Sequence, residues 1–468
     1  MHIIIVGGGG VGYEVARNLS EKDQDVVVVE KNELKAKRFD ESLDVMVIVD
    51  NGANAAVLER AGIKKADMMI AVTQVDEVNI IACMLAKQYD VPITVCRIRN
   101  SGYAGDSSVL TPKQLGIDIV INPERVAAME ISKMLHFPDA SEVEYFDQGK
   151  VMMLGVVVGA EADITEVPLH KLPLNENCIV VGISDPNGKF IVPGGNDVIH
   201  PGNKIYLLGK TRTLKDISSL LHHEKTRVSQ VTILGGGMIG QQLARLLEES
   251  KQTFNVKLIE KNVERCGELC RQLNKTLVLQ GDATEIAMLR EEDTDRADAV
   301  IAATGDDRNN IVAALLARQF GVKKIICEVM KPQYVPVYSA LGIDSVINPR
   351  LIAAAQIVRL TRREDVLALS ILQDEKAEVI EIVLPESARV ANKRIAAANL
   401  PRGMIIGSIV RQGEVIIPGG NTKLLPEDHL VIFAVPKVST KLDRFFAPAV
   451  SKEDREYLRN KMLHIEEG

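Results

Sequence analysis

Several kinds of chemistry are missing from this 468-residue sequence. Its six cysteines (Cys83, Cys96, Cys178, Cys266, Cys270 and Cys327) include no CxxC pair. Cys266 and Cys270 lie four apart on a predicted helix with no histidine nearby, so neither a disulfide framework nor a thiolate metal site is expected. The longest apolar runs, such as Val151–Ala160, are well short of the ~20 residues a membrane helix needs. The opening MHIIIVGGGG has no basic stretch before its apolar run, so no secretory leader is expected. Basic charge is not in excess: 56 Lys and Arg against 63 Asp and Glu leave a net charge of −7. A nucleic-acid partner held by phosphate neutralisation is therefore not expected. What is present, 46% hydrophobic and 25% charged residues, is the mixture of a chain that buries large cores.

The sequence is written twice. IIIVGGGGVGYEVARNL (3–19) returns as TILGGGMIGQQLARLL (232–247), and VVVVEKN (26–32) as VKLIEKN (256–262). ADMMIAVTQVDEVN (66–79) returns as ADAVIAATGDDRNN (297–310), VINPERVAA (120–128) as VINPRLIAA (346–354), and FIVPGGN (190–196) as VIIPGGN (415–421). Five ordered matches at nearly one spacing indicate an internal duplication with small insertions.

Each copy divides again. Its first ~135 residues alternate short β-branched runs with amphipathic helical stretches. In the first copy the predicted strands are His2–Val6, Val26–Glu30, Val45–Val49, Met68–Val72, Ile93–Arg97 and Ile119–Ile121. Predicted helices include Val11–Ser20, Ala53–Ala61, Glu77–Tyr89 and Glu124–Leu135. This alternation implies right-handed βαβ crossovers and a Rossmann-like, doubly wound parallel sheet. The remainder of each copy is rich in turns, such as Pro186-Asn187-Gly188 and Pro193-Gly194-Gly195-Asn196, and predicts a small α+β domain of hairpins. The expected organisation is 1–138, 139–226, 227–362 and 363–448, followed by a charged tail over 449–468.

Gly7-x-Gly9-x-x-Gly12 follows a strand and opens a helix, and Gly235-x-Gly237-x-x-Gly240 repeats it. The first glycine permits a sharp turn, the second lets a pyrophosphate approach the backbone, and the third is expected to let helix and strand pack closely. Free N–H groups at the helix start then face the phosphates. An acid ends the second strand of each copy: Glu30 and Glu260 are placed to accept hydrogen bonds from ribose hydroxyls, which favours NAD(H) or adenosine nucleotides over a 2′-phosphate. Asn51 and Asp282 follow the third strand, where an adenine would lie. Thr73 with Gln74, and Thr304, end the fourth strand near the phosphates. Arg97 ends the fifth and offers a cation to a phosphate oxygen. Its counterpart, Glu328, reverses that charge, so the two copies are expected to differ in affinity or ligand.

Catalytic groups are scarce. A dehydrogenase needs a proton donor or acceptor beside the hydride acceptor. Residues 229–360 hold no histidine, and the first Rossmann unit has only His2 and His136. Two Tyr-x-x-x-Lys matches, Tyr206/Lys210 and Tyr457/Lys461, fall on a hairpin strand and in the tail. HExxH, GxSxG and P-loop signatures are absent. No catalytic and no metal-ligating residues are assigned, and sensing is favoured over an alternative, an NAD-dependent oxidoreductase.

The order GxGxxG, acid, ADMMIAVTQVDEVNIIA (66–82), CRIRNSGY (96–103), VINPE (120–124), then a small domain with IVPGGN and LLG, resembles the RCK (KTN) domain. Doubled in one chain, it is similar to the TrkA family of regulatory subunits of bacterial Trk potassium-uptake systems. The resemblance implies that Gly7, Gly8, Gly9, Gly10 and Val11, with Glu30, Thr73 and Arg97, contact NAD+, NADH, ATP or ADP. In the second copy it implies Gly235, Gly236, Gly237, Met238, Ile239, Glu260 and Thr304. It also implies pairing of the Rossmann units through crossover helices matching Glu124–Leu135 and Arg350–Leu360. It further implies self-association to a dimer or tetramer ring, a cytoplasmic place at the inner membrane face, and a Trk-type integral membrane potassium channel subunit as partner. Small domains of the family sometimes bind a further effector, and no cluster in this sequence says which.

Overall fold

The computed structural model describes the chain except residues 23, 105–108, 161, 173, 175–176, 215–227, 344, 361–365, 372–376, 440–441 and 447–468. The expected tail, with Tyr457 and Lys461, lies outside the described residues. In chain order, β1 (His2–Val6), β2 (Asp25–Val29), β3 (Met46–Ile48), β4 (Met68–Ala71), β5 (Ile93–Arg97) and β6 (Ile119–Ile121) form one sheet. A second contains β7 (Ala140–Phe146), β8 (Val151–Val157), β9 (Cys178–Ser184), β10 (Phe190–Ile191) and β11 (Lys204–Lys210). The third contains β12 (Gln230–Leu234), β13 (Asn255–Glu260), β14 (Leu277–Gln280), β15 (Ala299–Ala302), β16 (Lys324–Glu328) and β17 (Ser345–Ile347). The fourth contains β18 (Val366–Ile371), β19 (Glu378–Val383), β20 (Met404–Arg411), β21 (Glu414–Ile416) and β22 (His429–Ala434). The chain packs as two units, residues 1–136 with 227–361 and residues 137–226 with 362–468.

In the first unit both sheets are parallel, ordered β3-β2-β1-β4-β5-β6 and β14-β13-β12-β15-β16-β17. Their strands read as unbroken apolar runs because both faces are covered. Ile3 and Ile5 enter one core while Ile4 and Val6 enter the other. The order reverses between β1 and β4, and again between β12 and β15, which opens a crevice at the carboxyl ends of those strands. The glycine loops lie there.

The last helix of each Rossmann copy packs on the other copy. Ala127, Ala128, Ile131 and Leu135 of the Pro123–His136 helix share a core with Ile239 and Leu243 of the Met238–Glu249 helix. Reciprocally, Ala353, Ala354 and Ile357 of the Pro349–Leu360 helix share a core with Val11 and Val15 of the Gly10–Ser20 helix. Paired alanines let these helices approach closely. His136 closes the first exchange, with Nε2 2.8 Å from Ser250 Oγ and its ring edge-on to Phe254.

The second unit holds two antiparallel sheets, β10-β9-β11-β8-β7 and β18-β19-β22-β20-β21, which are one topology read from opposite ends. They share a core that includes Val151, Met153, Tyr206 and Leu208 from the first and Val379, Val431 and Phe433 from the second. Tyr206, of the first Tyr-x-x-x-Lys match, is a buried part of that core.

Two differences from the sequence reading have local causes. The helix at Glu33–Ser42 is not among those named from the sequence, because only Ala36 and Phe39 of its ten residues are buried and no apolar stripe marks it. Its start is set by Asn32, whose side chain accepts from Lys35 N. The helix expected from Ala53 begins at Ala55 instead, since Asn54 caps it by accepting from Ala56 N.

Candidate functional site

The glycine loops take the conformation their spacing requires. Gly7 has φ +111° and Gly235 φ +114°, a region only glycine enters freely. A Cβ on Gly12 would fall 2.0 Å from the Gly7 carbonyl oxygen, and one on Gly240 equally close to that of Gly235. The third glycine therefore makes room first for the loop's own carbonyl, and a Cβ on Gly240 would also stand 3.2 Å from Ile233 Cγ2 of β12. A Cβ on Gly9 would meet nothing within 4 Å, so the middle of the loop faces open space. The Gly10–Ser20 and Met238–Glu249 helices start at Gly9 and Gly237 without a side-chain cap. Their first N–H groups are left for an anion.

Both acids are tied to these loops in one pattern. Glu30 Oε2 accepts from Gly8 N at 2.6 Å and Oε1 from Asn32 N at 2.8 Å. Glu260 Oε2 accepts from Gly236 N at 2.7 Å and Oε1 from Asn262 N at 2.8 Å. Each carboxylate oxygen has a further lone pair for a ribose hydroxyl. Each acid thus shapes its glycine loop, a role its spacing did not reveal, and Glu30 also lines the cleft.

Asn79, on the Asp76–Gln88 helix, and Asn310, on the Asp307–Gln319 helix, were not singled out as site residues, although the 66–82 run that carries part of the resemblance contains Asn79. Both are fully buried. Asn79 Oδ1 accepts from Thr73 N (2.8 Å) and Thr73 Oγ1 (2.6 Å), while its Nδ2 donates to Arg97 O (2.9 Å). Asn310 repeats this with Thr304 (2.7 Å twice) and Glu328 O (3.0 Å). Each asparagine clamps the ends of two neighbouring strands, and each threonine hydroxyl already donates its proton to it. Asp76 adds a second clamp by accepting from Arg99 N and Asn100 N.

Arg97 is not the free cation expected, since its guanidinium donates to Glu124 Oε1 at 2.8 Å. Glu328 is 6% exposed, and burial pushes its carboxyl up to about 7, helped by Asp307 and by Glu124 of the other copy. Asp282 is also engaged: Lys261 Nζ lies 2.7 Å away, and this bond, with those from Thr284, holds it at about 2. Asn51 is exposed and accepts only from Ala53 N among the described bonds.

A cavity of about 530 Å³ joins the phosphate ends of the two copies. From the first copy it takes Gly7, Gly9, Gly10, Val11, Glu30, Asn51, Thr73, Gln74 and Arg97, and from the second Gly237, Met238, Ile239 and Thr304. Gly8, Gly12, Gly235, Gly236, Gly240, Glu260 and Asp282 are not part of its lining. Arg350 of the second copy crosses to the first copy's glycine loop and would collide with any side chain at Gly10. Neither His2 nor His136 reaches the cavity. His2, at the amino end of β1, is held by Asp25 (2.6 Å) and the Ala61 carbonyl (3.0 Å).

Comparison with known proteins agrees with this geometry. The TrkA-N domain family matches residues 3–123 and 231–349, and the TrkA-C domain family matches residues 154–222 and 379–447. The chain is 35% identical to the Trk system potassium uptake protein TrkA homolog 1 of Methanosarcina mazei, over 95% of this chain and 100% of the relative. It is 32% identical to the Trk system potassium uptake protein TrkA of Azorhizobium caulinodans, over 95% and 98%. Among solved structures, the GsuK RCK domain matches with TM-score 0.61 and the GsuK channel bound to NAD with 0.62. Each is 20% identical over 95% of this chain, covering 95% and 79% of those chains, which speaks for the fold. The chain belongs to the TrkA family, a family of regulatory proteins of potassium uptake rather than of enzymes.

Proposed function

We propose that the chain senses NAD(H) or ATP/ADP in its Rossmann clefts and uses their occupancy to gate a Trk-type membrane potassium channel subunit. The observation that carries this reading is the joint cavity. Two uncapped helix starts open toward one space that both copies line, with Glu30 of the first copy in its wall. A nucleotide there touches both halves of the unit, so its binding energy depends on how the halves are disposed. That dependence is what a ligand needs in order to shift a conformational equilibrium.

Relatives named for Trk potassium uptake, and an NAD-bound channel with this fold, support the ligand class and the partner. Among the described residues no helix is long and apolar enough to cross a membrane, so in this reading a separate subunit carries the ions. Self-association to a dimer or tetramer ring at the inner membrane face completes it.

Calorimetric titration of NADH, NAD+, ATP and ADP tests the ligand assignment. Glu30→Ala is expected to weaken binding to the first copy at least tenfold and leave the second intact, and Glu260→Ala the reverse. Wild-type heats from both variants would remove the clefts from the account.

A further inference from the structure

The two small domains meet at a group of side chains that the nucleotide reading does not use. Asp147 sits in the turn between β7 and β8, while Glu381 on β19 and His429 on β22 come from the other small domain. Ligand atoms of all three lie within 4.8 Å of one another. Asp147 and Glu381 are 9% and 5% exposed.

We propose that Asp147, Glu381 and His429 form a binding site for a first-row divalent metal ion, of which Zn²⁺ is the type, and that the ion joins the two small domains.

The donor set is one imidazole nitrogen and two carboxylates, which suits zinc and its neighbours better than the all-oxygen cages of Ca²⁺ or Mg²⁺. His429 Nδ1 and Asp147 Oδ1 are 3.2 Å apart, and two ligands each about 2.1 Å from a tetrahedral ion stand about 3.4 Å apart. The two atoms are close enough for a hydrogen bond but are not aligned for one, and Nδ1 is buried without a hydrogen-bond partner. Asp147 Oδ2 is likewise buried and outside hydrogen-bonding geometry, although Lys150 Nζ approaches to 2.8 Å. Lys150 is 45% exposed and neutralises the oxygen turned away from His429. Glu381 is oriented by the Asp147 amide, which donates to its Oε1 at 3.2 Å.

The sequence repeat supplies an internal contrast. By strand register, the first small domain has Gly155 and Lys204 where the second has Glu381 and His429. There Lys204 is paired with Glu142 at 2.6 Å, so that position carries a protein cation instead.

The test uses the full-length chain stripped with chelator and titrated with Co²⁺ and Zn²⁺, with Mg²⁺ and Ca²⁺ as comparisons. The expected result is one equivalent of Co²⁺ with visible d–d absorption, displaced by Zn²⁺, and a melting temperature raised by either ion. His429→Ala should weaken binding at least tenfold and abolish both the absorption and the melting shift. Asp147→Asn should do the same, because asparagine keeps the left-handed backbone that Asp147 adopts at φ +44°. Undiminished nucleotide binding by both variants shows that they fold and separates this proposal from the one above. No stoichiometric uptake by the wild type, or absorption that persists in either variant, overturns the site and leaves a plain Asp–His pair.

Discussion

At the scale of single residues, the clefts depend on side chains that hold backbone rather than on side chains that reach for a ligand. Asn79 carries the most such bonds, and removing it leaves the Thr73 amide without its partner and takes the amide donor from the Arg97 carbonyl. Asn79→Ala is expected to lower stability by about 2–3 kcal/mol, the cost of unsatisfied buried groups. Because Thr73 and Arg97 line the cavity, it should also weaken nucleotide binding at least tenfold. Urea denaturation with a parallel titration checks both, and a variant indistinguishable from wild type contradicts the clamp. Glu328 gives a pH prediction. Its folded-state pKa, about 7, is raised above its ordinary value of 4.5, so the folded state binds the extra proton. The resulting penalty on folding is absent below about pH 4.5, grows as pH rises, and is complete above 7. Glu328→Gln should therefore match wild type near pH 4.5 and be more stable at pH 8, by up to about 3 kcal/mol. Denaturation midpoints at the two pH values decide it, and a gap that does not widen with pH counts against a carboxylate whose burial outweighs its partners.

At the scale of elements, the exchange of terminal helices decides whether the two clefts act together. The Pro349–Leu360 helix delivers Arg350 to the first copy's glycine loop and seats Ala353 and Ala354 against the Gly10–Ser20 helix. Ala354 is 1% exposed, so Ala354→Leu overpacks that contact and is expected to cost about 1–3 kcal/mol. An unchanged denaturation midpoint would mean that the helices are not closely packed there. Much of this level was legible in the sequence, because strict repetition and unbroken apolar strands leave a doubly wound sheet as the simplest solution. The glycine loops and their acids were legible for the same reason, since backbone demands select residue types directly. Three things were not. The Glu33–Ser42 helix is too polar to show a stripe, and only Phe39 anchors it. The Arg97–Glu124 pair joins residues 27 positions apart, and Asp147 meets Glu381 across 234. Such partners are set by topology, which spacing along the chain does not record.

At the scale of the whole molecule, duplication places two glycine loops with unequally charged surroundings around one space. Arg97 and Arg350 lie toward the first loop, while the second has buried Glu328. Arg350, directed at the first loop, is expected to make occupancy of that site by an anionic nucleotide the stronger event. A hundredfold difference in affinity between two dispositions of the copies supplies roughly 2.7 kcal/mol per site, and ring assembly would sum several such terms. Sedimentation of the full chain is expected to show a dimer or tetramer at micromolar concentration, and a monomer throughout would remove that amplification. The central claim is that nucleotide occupancy here becomes potassium flux elsewhere without the nucleotide being consumed. The measurement that reaches it is potassium flux through a reconstituted Trk-type channel subunit, with and without this chain, while NADH, NAD+, ATP and ADP are titrated. Flux is predicted to depend on nucleotide only when the chain is present, to lose that dependence with Glu30→Ala, and to leave the nucleotide chemically intact. Flux indifferent to the chain and to every nucleotide, or steady consumption of the nucleotide, would contradict it.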